Sequence, residues 1–307
     1  MQIALKVDVD TLRGTLEGVP ALLRLLDRQQ IRATFLFSLG PDHTGRAIKR
    51  IFRPGFFAKV QRTSVANHYG LKTLLYGTLL PGPDIGRRGR DVMRATAAAG
   101  HEVGIHCHDH IRWQDYVARR GEAWTRREME RAAQAFERVF GRPATVHGAA
   151  GWQVNPHALQ IEEQMGFAYA SDTRGTHPFL PVMGATASAC PQIPTTLPTL
   201  DELIGREGID EGNVHEHVHA ASRQPRPHGH VYTLHAELEG MKLGPVLERL
   251  LGMWRADGAG IGPMETLYAQ LDPARLPRHS VDWGAVQGRS GLLAVQGTPE
   301  GRPDGGG

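Results

Sequence analysis

The sequence predicts an α/β barrel built mainly from parallel strands. Three observations carry that reading. Strand-like and helix-like segments alternate along most of the chain, as in folds built from β-α-β units. Residues able to do chemistry recur at the ends of predicted strands, where barrel enzymes assemble their sites. The length, 307 residues, suits one barrel domain without subdivision, so a single catalytic domain over residues 1–283 is expected.

The elements follow in chain order. Gln2 to Val9 reads as a strand. Gly18 to Gln30 reads as a helix with Leu22, Leu23, Leu25 and Leu26 gathered on one side, and Arg32 to Leu39 as the next strand. A helix near Asp91 to Ala99, a strand at Glu102 to His106 and a helix from Thr125 to Phe140 come next. Ala144 to Gly148, Ala168 to Ser171, Gln192 to Thr196 and His230 to His235 are further strands, with helices at Asn155 to Met165 and Leu243 to Ala256. Two segments break the alternation. Residues 40–90, after the second strand, are too long for a structureless loop and read as a functional or locally helical insertion. Residues 284–307, rich in glycine, read as a disordered tail.

Composition narrows the function. Thirty-five Lys and Arg against 32 Asp and Glu leave a net charge of +3, too small to imply nucleic acid binding. The basic excess is local: Arg46, Lys49, Arg50, Arg53, Lys59 and Arg62 occur without an intervening acid, alternating with Ile51, Phe52, Phe56 and Phe57. Such a basic and aromatic mixture suits anionic lipid headgroups and the upper acyl region, or alternatively an aromatic cover packed on the barrel. Two cysteines, Cys107 and Cys190, are too few for a disulfide framework. No signal peptide pattern or spanning apolar run is evident, so a cytoplasmic protein with peripheral membrane contact is expected.

Three groups of residues carry the chemistry. In Lys6-Val7-Asp8-Val9-Asp10-Thr11 two carboxylates two apart at a strand end point to one side. One can bind a metal while the other serves as a base; capping the next helix is the plainer alternative. His106 and His110 stand at i and i+4, which on a helical turn brings both imidazoles within reach of one divalent ion. His235 closes an apolar strand and can donate or accept a proton near neutrality. His215, His217 and His219 lie in a polar segment and are assigned to a solvated face.

Taken in this order, the segments resemble the polysaccharide deacetylase (NodB-homology) family, over roughly residues 1–270. The resemblance implies a distorted (β/α)7 barrel and removal of acyl groups from amino sugars. It implies that Asp8 is the base, that Asp10, His106 and His110 hold one divalent metal ion (Zn, Co, Mn or Ni), and that His235 is the acid. Asp172 is implied as the residue orienting His235. Arg13-Gly14-Thr15, Ala149-Ala150-Gly151-Trp152, Ser171-Asp172-Thr173-Arg174-Gly175, Gln192 to Thr199 and His235-Ala236-Glu237 look like one branch in particular. That branch deformylates undecaprenyl phosphate-linked 4-deoxy-4-formamido-L-arabinose during lipid A modification, a route to polymyxin resistance.

The third motif departs from the wider family: His147-Gly148-Ala149-Ala150-Gly151-Trp152 stands where an arginine and a proline are usual. That leaves orientation of the base to another residue, with Arg174 the candidate; Asp172, Arg174 and Trp152 are expected as orienting or substrate-binding residues. The branch resemblance implies a lipid-linked substrate met at the cytoplasmic leaflet of the inner membrane, with Arg50, Phe52, Arg53, Phe56 and Phe57 as the docking residues. Two alternatives stay open: a deacetylase of another amino-sugar polymer or oligosaccharide, and an inactive sugar-lipid binding module.

Overall fold

The computed structural model describes residues 1–47 and 73–300. Of the insertion it shows a short 3₁₀ turn at Thr73–Leu75 and a helix at Ile85–Arg88. Arg50, Phe52, Arg53, Phe56 and Phe57 lie outside the described residues.

Strand β1 (Gln2–Val9) is the spine. All but its first residue are buried, the charged Lys6 and Asp8 included. One edge of β1 pairs in parallel with β8 (His230–His235) from Ile3↔His230 to Asp8↔His235. The other edge carries β2 (Thr34–Ser38) along Lys6 to Val9 and the short β9 (Gly260–Gly262) along Gln2 to Ala4. Beyond β2 follow β3 (Glu102–Cys107), β4 (Val146–His147) and β5 (Tyr169–Ala170), all parallel, making seven strands.

Between β5 and β8 there is no regular strand. Gln192 to Thr196, expected as one, instead bridges the gap irregularly: Ile193 N donates to Ala170 O at 2.8 Å and Thr196 N to Val231 O at 3.1 Å. Pro191, Pro194 and Pro198 punctuate this stretch, and a proline cannot donate to a ladder. The barrel is therefore closed by a few bonds rather than a full strand, which is the distortion the sequence resemblance implied.

The helices form where the periodicity places them, each with a local reason for its ends. Val19–Arg28 buries Val19, Leu22, Leu25 and Leu26 and follows directly from a π-helical turn, Gly14–Gly18. Pro156–Gln164 begins with proline at its first position and with Asn155 as cap, accepting from Ala158 N at 2.9 Å. Glu122–Phe140 stops at Gly141, whose φ of 70° is the left-handed value that glycine adopts freely. His215 and His219, expected on a solvated face, are buried on the helix Val214–Ser222, and only the second has a carboxylate partner there, His219 Nε2 to Asp257 at 2.8 Å. Their i,i+4 spacing puts both on the packed side with Val214 and Val218.

The glycine-rich end is ordered through residue 300, contrary to expectation. Strand β10 (Arg278–Ala285) pairs antiparallel with β11 (Leu292–Pro299), and β10 extends a small sheet with β6 (Leu180–Met183) and β7 (Thr186–Ala187). The run Leu292-Leu293-Ala294-Val295 supplies the strand, with Leu293 and Ala294 buried; the flanking glycines masked it compositionally. Arg174 N donates to Ala294 O at 2.9 Å and Gln296 N to Arg174 O at 2.7 Å, stitching the hairpin to the barrel.

From the hairpin turn Arg289 reaches Glu202 at 2.8 Å and Asp201 at 3.0 Å, and the Glu202 side chain is only 2 % exposed. Arg289→Ala is expected to lower unfolding free energy by about 1–3 kcal/mol, the cost of removing one of the two guanidinium partners of a buried carboxylate, Arg174 being the other. Urea unfolding of the variant beside the parent measures this, and an unchanged midpoint would refute it.

Candidate active site

The strand ends of β1, β3 and β8 deliver the predicted residues to one place. Asp8 and His235 are register partners across β1 and β8, so parallel pairing alone sets them side by side. Asp10 lies just past β1, and both His106 Nε2 and His110 Nε2 approach its Oδ1, at 3.3 and 3.4 Å. Donor atoms of the three residues lie within 4.8 Å of one another.

The histidines meet by a different route from the one their spacing suggests. His106 belongs to β3, whereas His110 opens the helix His110–Tyr116. Asp109 makes the switch as helix cap, accepting from Arg112 N at 3.0 Å. Its other oxygen is 2.6 Å from His43 Nδ1, which ties the root of the insertion to the same corner.

Hydrogen bonding sets what the donor set can hold. His106 Nδ1 lies 2.7 Å from Gly148 O, an acceptor only, so this nitrogen carries the proton and Nε2 presents a lone pair to Asp10. Asp10 Oδ1 is itself buried with no hydrogen-bond donor. Two acceptors facing each other at 3.3 Å need a cation between them, and one carboxylate with two imidazoles fits a divalent ion. Burial would raise the Asp10 pKa, and positive charge at His110 and His106, where they carry it, lowers it well below the ordinary carboxylate range.

Asp8 stands beside this set with its Oδ2 3.7 Å from Lys6 Nζ and its Oδ1 buried without a hydrogen bond, 3.9 Å from His106 Nδ1. Lys6 is fully buried and donates to Ser171 O at 2.8 Å. Burial lowers its pKa, against the opposing pull of Asp8 and Asp172. His235 is anchored through its backbone N, which donates to Glu239 at 2.9 Å, while its Nδ1 has no partner. Burial pushes Glu239 up to about 7.

Several contributors carried no role in the sequence reading. Glu237 accepts from Asp10 N at 3.1 Å and from Thr11 N and Oγ1, both at 2.8 Å, so it holds the turn that carries Asp10. Burial and the Asp10 charge raise it to about 8. Gly14 is required opposite it: a Cβ there would sit 1.9 Å from Glu237 Oε1. Lys6 had a visible signal, a cation inside an apolar strand two residues from Asp8 and therefore on its face.

Two implied roles change. Asp172 does not orient His235: its carboxylate accepts from Ala149 N at 2.6 Å and Gln192 Nε2 at 2.7 Å and lies 3.2 Å from His147 Nδ1. Those donors, all from the β4 side of the barrel, saturate it. Arg174 does not reach Asp8 either. Its guanidinium pairs with Glu202 and donates to Leu197 O at 3.0 Å, and the cation against Asp8 is Lys6. Trp152 lies between the cations, its ring centroid 5.5 Å from Lys6, 5.2 Å from Arg174 and 4.8 Å from Arg289. Its φ of 51° is rare for a bulky side chain.

Comparison with known proteins gives the fold and the site a context. Residues 3–170 match the family model described as polysaccharide deacetylase. A protein of Shewanella sediminis named as a probable 4-deoxy-4-formamido-L-arabinose-phosphoundecaprenol deformylase, ArnD, is 36 % identical over 96 % of this chain and 94 % of its own. One of the same name from Wigglesworthia glossinidia brevipalpis is 30 % identical over 92 % of this chain and 98 % of its own. Among solved structures, one assigned as a polysaccharide deacetylase from Mycobacterium smegmatis superposes with a TM-score of 0.62 at 18 % identity, covering 93 % and 94 % of the two chains.

Behind the site, His147 Nδ1 lies 2.7 Å from Glu162 and 3.2 Å from Asp172, all three buried. Burial opposes its charge, but Asp172 and Glu162 outweigh burial and raise His147 from 6.5 to about 10. A raised histidine contributes stability that is complete below the unfolded value and lost as pH climbs through the folded one. The stability advantage of the parent over His147→Gln should therefore shrink as pH rises from 6.5 to about 10. Thermal unfolding of both proteins across that range is the check, and a constant difference would contradict it.

Proposed function

The chain belongs to the polysaccharide deacetylase family, and from that membership we propose that it is a metal-dependent deformylase. Its substrate in this reading is undecaprenyl phosphate-linked 4-deoxy-4-formamido-L-arabinose, whose N-formyl amide is hydrolysed to the amino sugar and formate. The names of the two full-length relatives support the substrate. The observation that carries the chemistry is the meeting of one carboxylate and two imidazoles, Asp10, His106 and His110, with a partly unpartnered carboxylate and imidazole at three strand ends.

A divalent ion held by Asp10, His106 and His110, for which Zn, Co, Mn and Ni all suit the ligands, supplies Lewis acidity for activating water and polarising the amide carbonyl. Asp8 Oδ1 accepts the proton of the attacking water, and Lys6, 3.7 Å from its Oδ2, aims that carboxylate. The His235 imidazole, beside Asp8 in register, protonates the departing sugar nitrogen. Glu237 and Gly148 O hold Asp10 and His106 in place while this happens.

The lipid half of the substrate bears on location. No helix among the described residues is long and apolar enough to cross a membrane. We place the enzyme at the cytoplasmic leaflet, docked through Arg50, Phe52, Arg53, Phe56 and Phe57. The polyprenyl chain cannot leave the bilayer cheaply, and each basic residue near an anionic surface contributes about 1 kcal/mol.

Mass spectrometry of the formamido-arabinose lipid after incubation should show loss of formate. Asp8→Asn should reduce turnover by at least about a hundredfold, the scale of general base catalysis, with metal content retained. His106→Ala should lose both. Appreciable turnover by Asp8→Asn would overturn the division of roles. Replacing Phe52, Phe56 and Phe57 by Ser should reduce liposome sedimentation, and should slow the lipid-linked substrate several-fold more than a short-chain soluble analogue. Equal losses on both substrates would assign the aromatics to packing.

A further inference from the structure

Beside the helix that His110 opens lies a cavity of about 480 Å³ whose lining holds three arginines, Arg46, Arg112 and Arg120, against one carboxylate, Asp115. Trp124 and Tyr116 complete the polar side of the lining. The arginines are not loose surface charges. The Arg112 and Arg120 guanidinium carbons stand 5.5 and 6.0 Å from the Trp124 ring centroid, and Arg120 is also 5.3 Å from Tyr116. The buried Asn155 donates to Arg120 O at 2.9 Å, which fixes the backbone from which that side chain departs. Arg112 is held by the buried Glu128 at 3.1 Å, and Arg46 by Gly77 O at 2.9 Å. Among the described residues, no carboxylate forms an ion pair with Arg120.

A guanidinium resting on aromatic faces has lost much of its freedom before any ligand arrives, while its N–H edge stays available. That edge matches the paired oxygens of a phosphate. Concavity and an excess of one sign concentrate the field on a compact anion rather than along an extended polyanion. The cavity is also next to the chemistry. Ile111, the residue after His110, lines it. The segment that supplies Arg46 is tied to the cap of the same helix through His43 and Asp109 at 2.6 Å.

We infer that this cavity is a phosphate subsite that takes the phosphodiester joining the sugar to the polyprenol and so positions the formamide over the strand-end residues. The identity of the diester rests on the deformylase reading; the recognition chemistry itself would equally admit free inorganic phosphate. The two sources are separated by calorimetric titration of the metal-loaded, full-length protein with inorganic phosphate and with geranyl methyl phosphate, a short soluble diester.

The parent should bind the diester at least about tenfold more tightly than inorganic phosphate. Arg120→Gln should weaken diester binding by about tenfold, and Arg120→Lys, which keeps the charge but not the fork, should recover only part of it. Arg112→Gln provides a second variant at the same ring. Equal affinity for the two ligands would overturn the assignment to the diester, as would undiminished binding by both glutamine variants or no binding by the parent. Formate release from a short-chain phosphodiester of the formamido sugar, which keeps the anchoring group, tests the deformylase reading separately. Its absence, with Arg120-dependent diester binding intact, would remove that reading and leave the subsite standing.

Discussion

Parallel pairing of β1 with β8 is the constraint on which the rest depends. Six consecutive register pairs, from Ile3↔His230 to Asp8↔His235, fix where the two strands end relative to each other. Ala236 N donates to Asp8 O at 3.0 Å, so the pairing continues one residue beyond the strand. That extension sets Glu237 under the turn carrying Asp10 and brings Gly14 and Gly18 against Glu237 and Ala236, where no side chain fits. A one-residue slip would reverse which side chains face the site. It would separate Asp8 from His235 and Asp10 from its support.

Around that pairing the molecule buries an unusual amount of charge, and each charge has an answer. Lys6 stands against Asp8 and Ser171 O, and His147 between Glu162 and Asp172. Glu202 takes both Arg174 and Arg289. Burying an unpaired charge costs several kcal/mol, so these groups must be ordered together or not at all. Among the buried polar atoms with no hydrogen-bond partner, Asp8 Oδ1, Asp10 Oδ1 and His235 Nδ1 gather at the strand ends of the candidate site. Unpaired acceptors clustered at one place are where a cation or a proton can be taken up at least cost.

The C-terminal hairpin shows how a peripheral element enters the site. Its backbone joins the Arg174 segment, and its turn lays Arg289 over Trp152. Lys6 and Arg174 face the same ring, so one aromatic residue in a left-handed backbone conformation connects three separate cations. The third motif carries no arginine, and a buried lysine two residues before Asp8 stands against that carboxylate while Arg174 pairs with Glu202.

Local pattern alone determined a good deal. Apolar runs marked β1, β2, β3 and β8, leucine spacing marked Val19–Arg28, and the order of Asp8, Asp10, His106, His110 and His235 marked the site. Each of these is written within one strand or turn, where side-chain period and residue chemistry act over short distances. Tertiary structure alone decided the partners. Whether Asp172 served His235 or His147, whether Arg174 or Lys6 met Asp8, and whether a glycine-rich end was loose or a strand depended on contacts between distant segments. Hydrogen bonds and ion pairs saturate at a distance of about 3 Å, so such choices turn on packing geometry that no local sequence pattern contains.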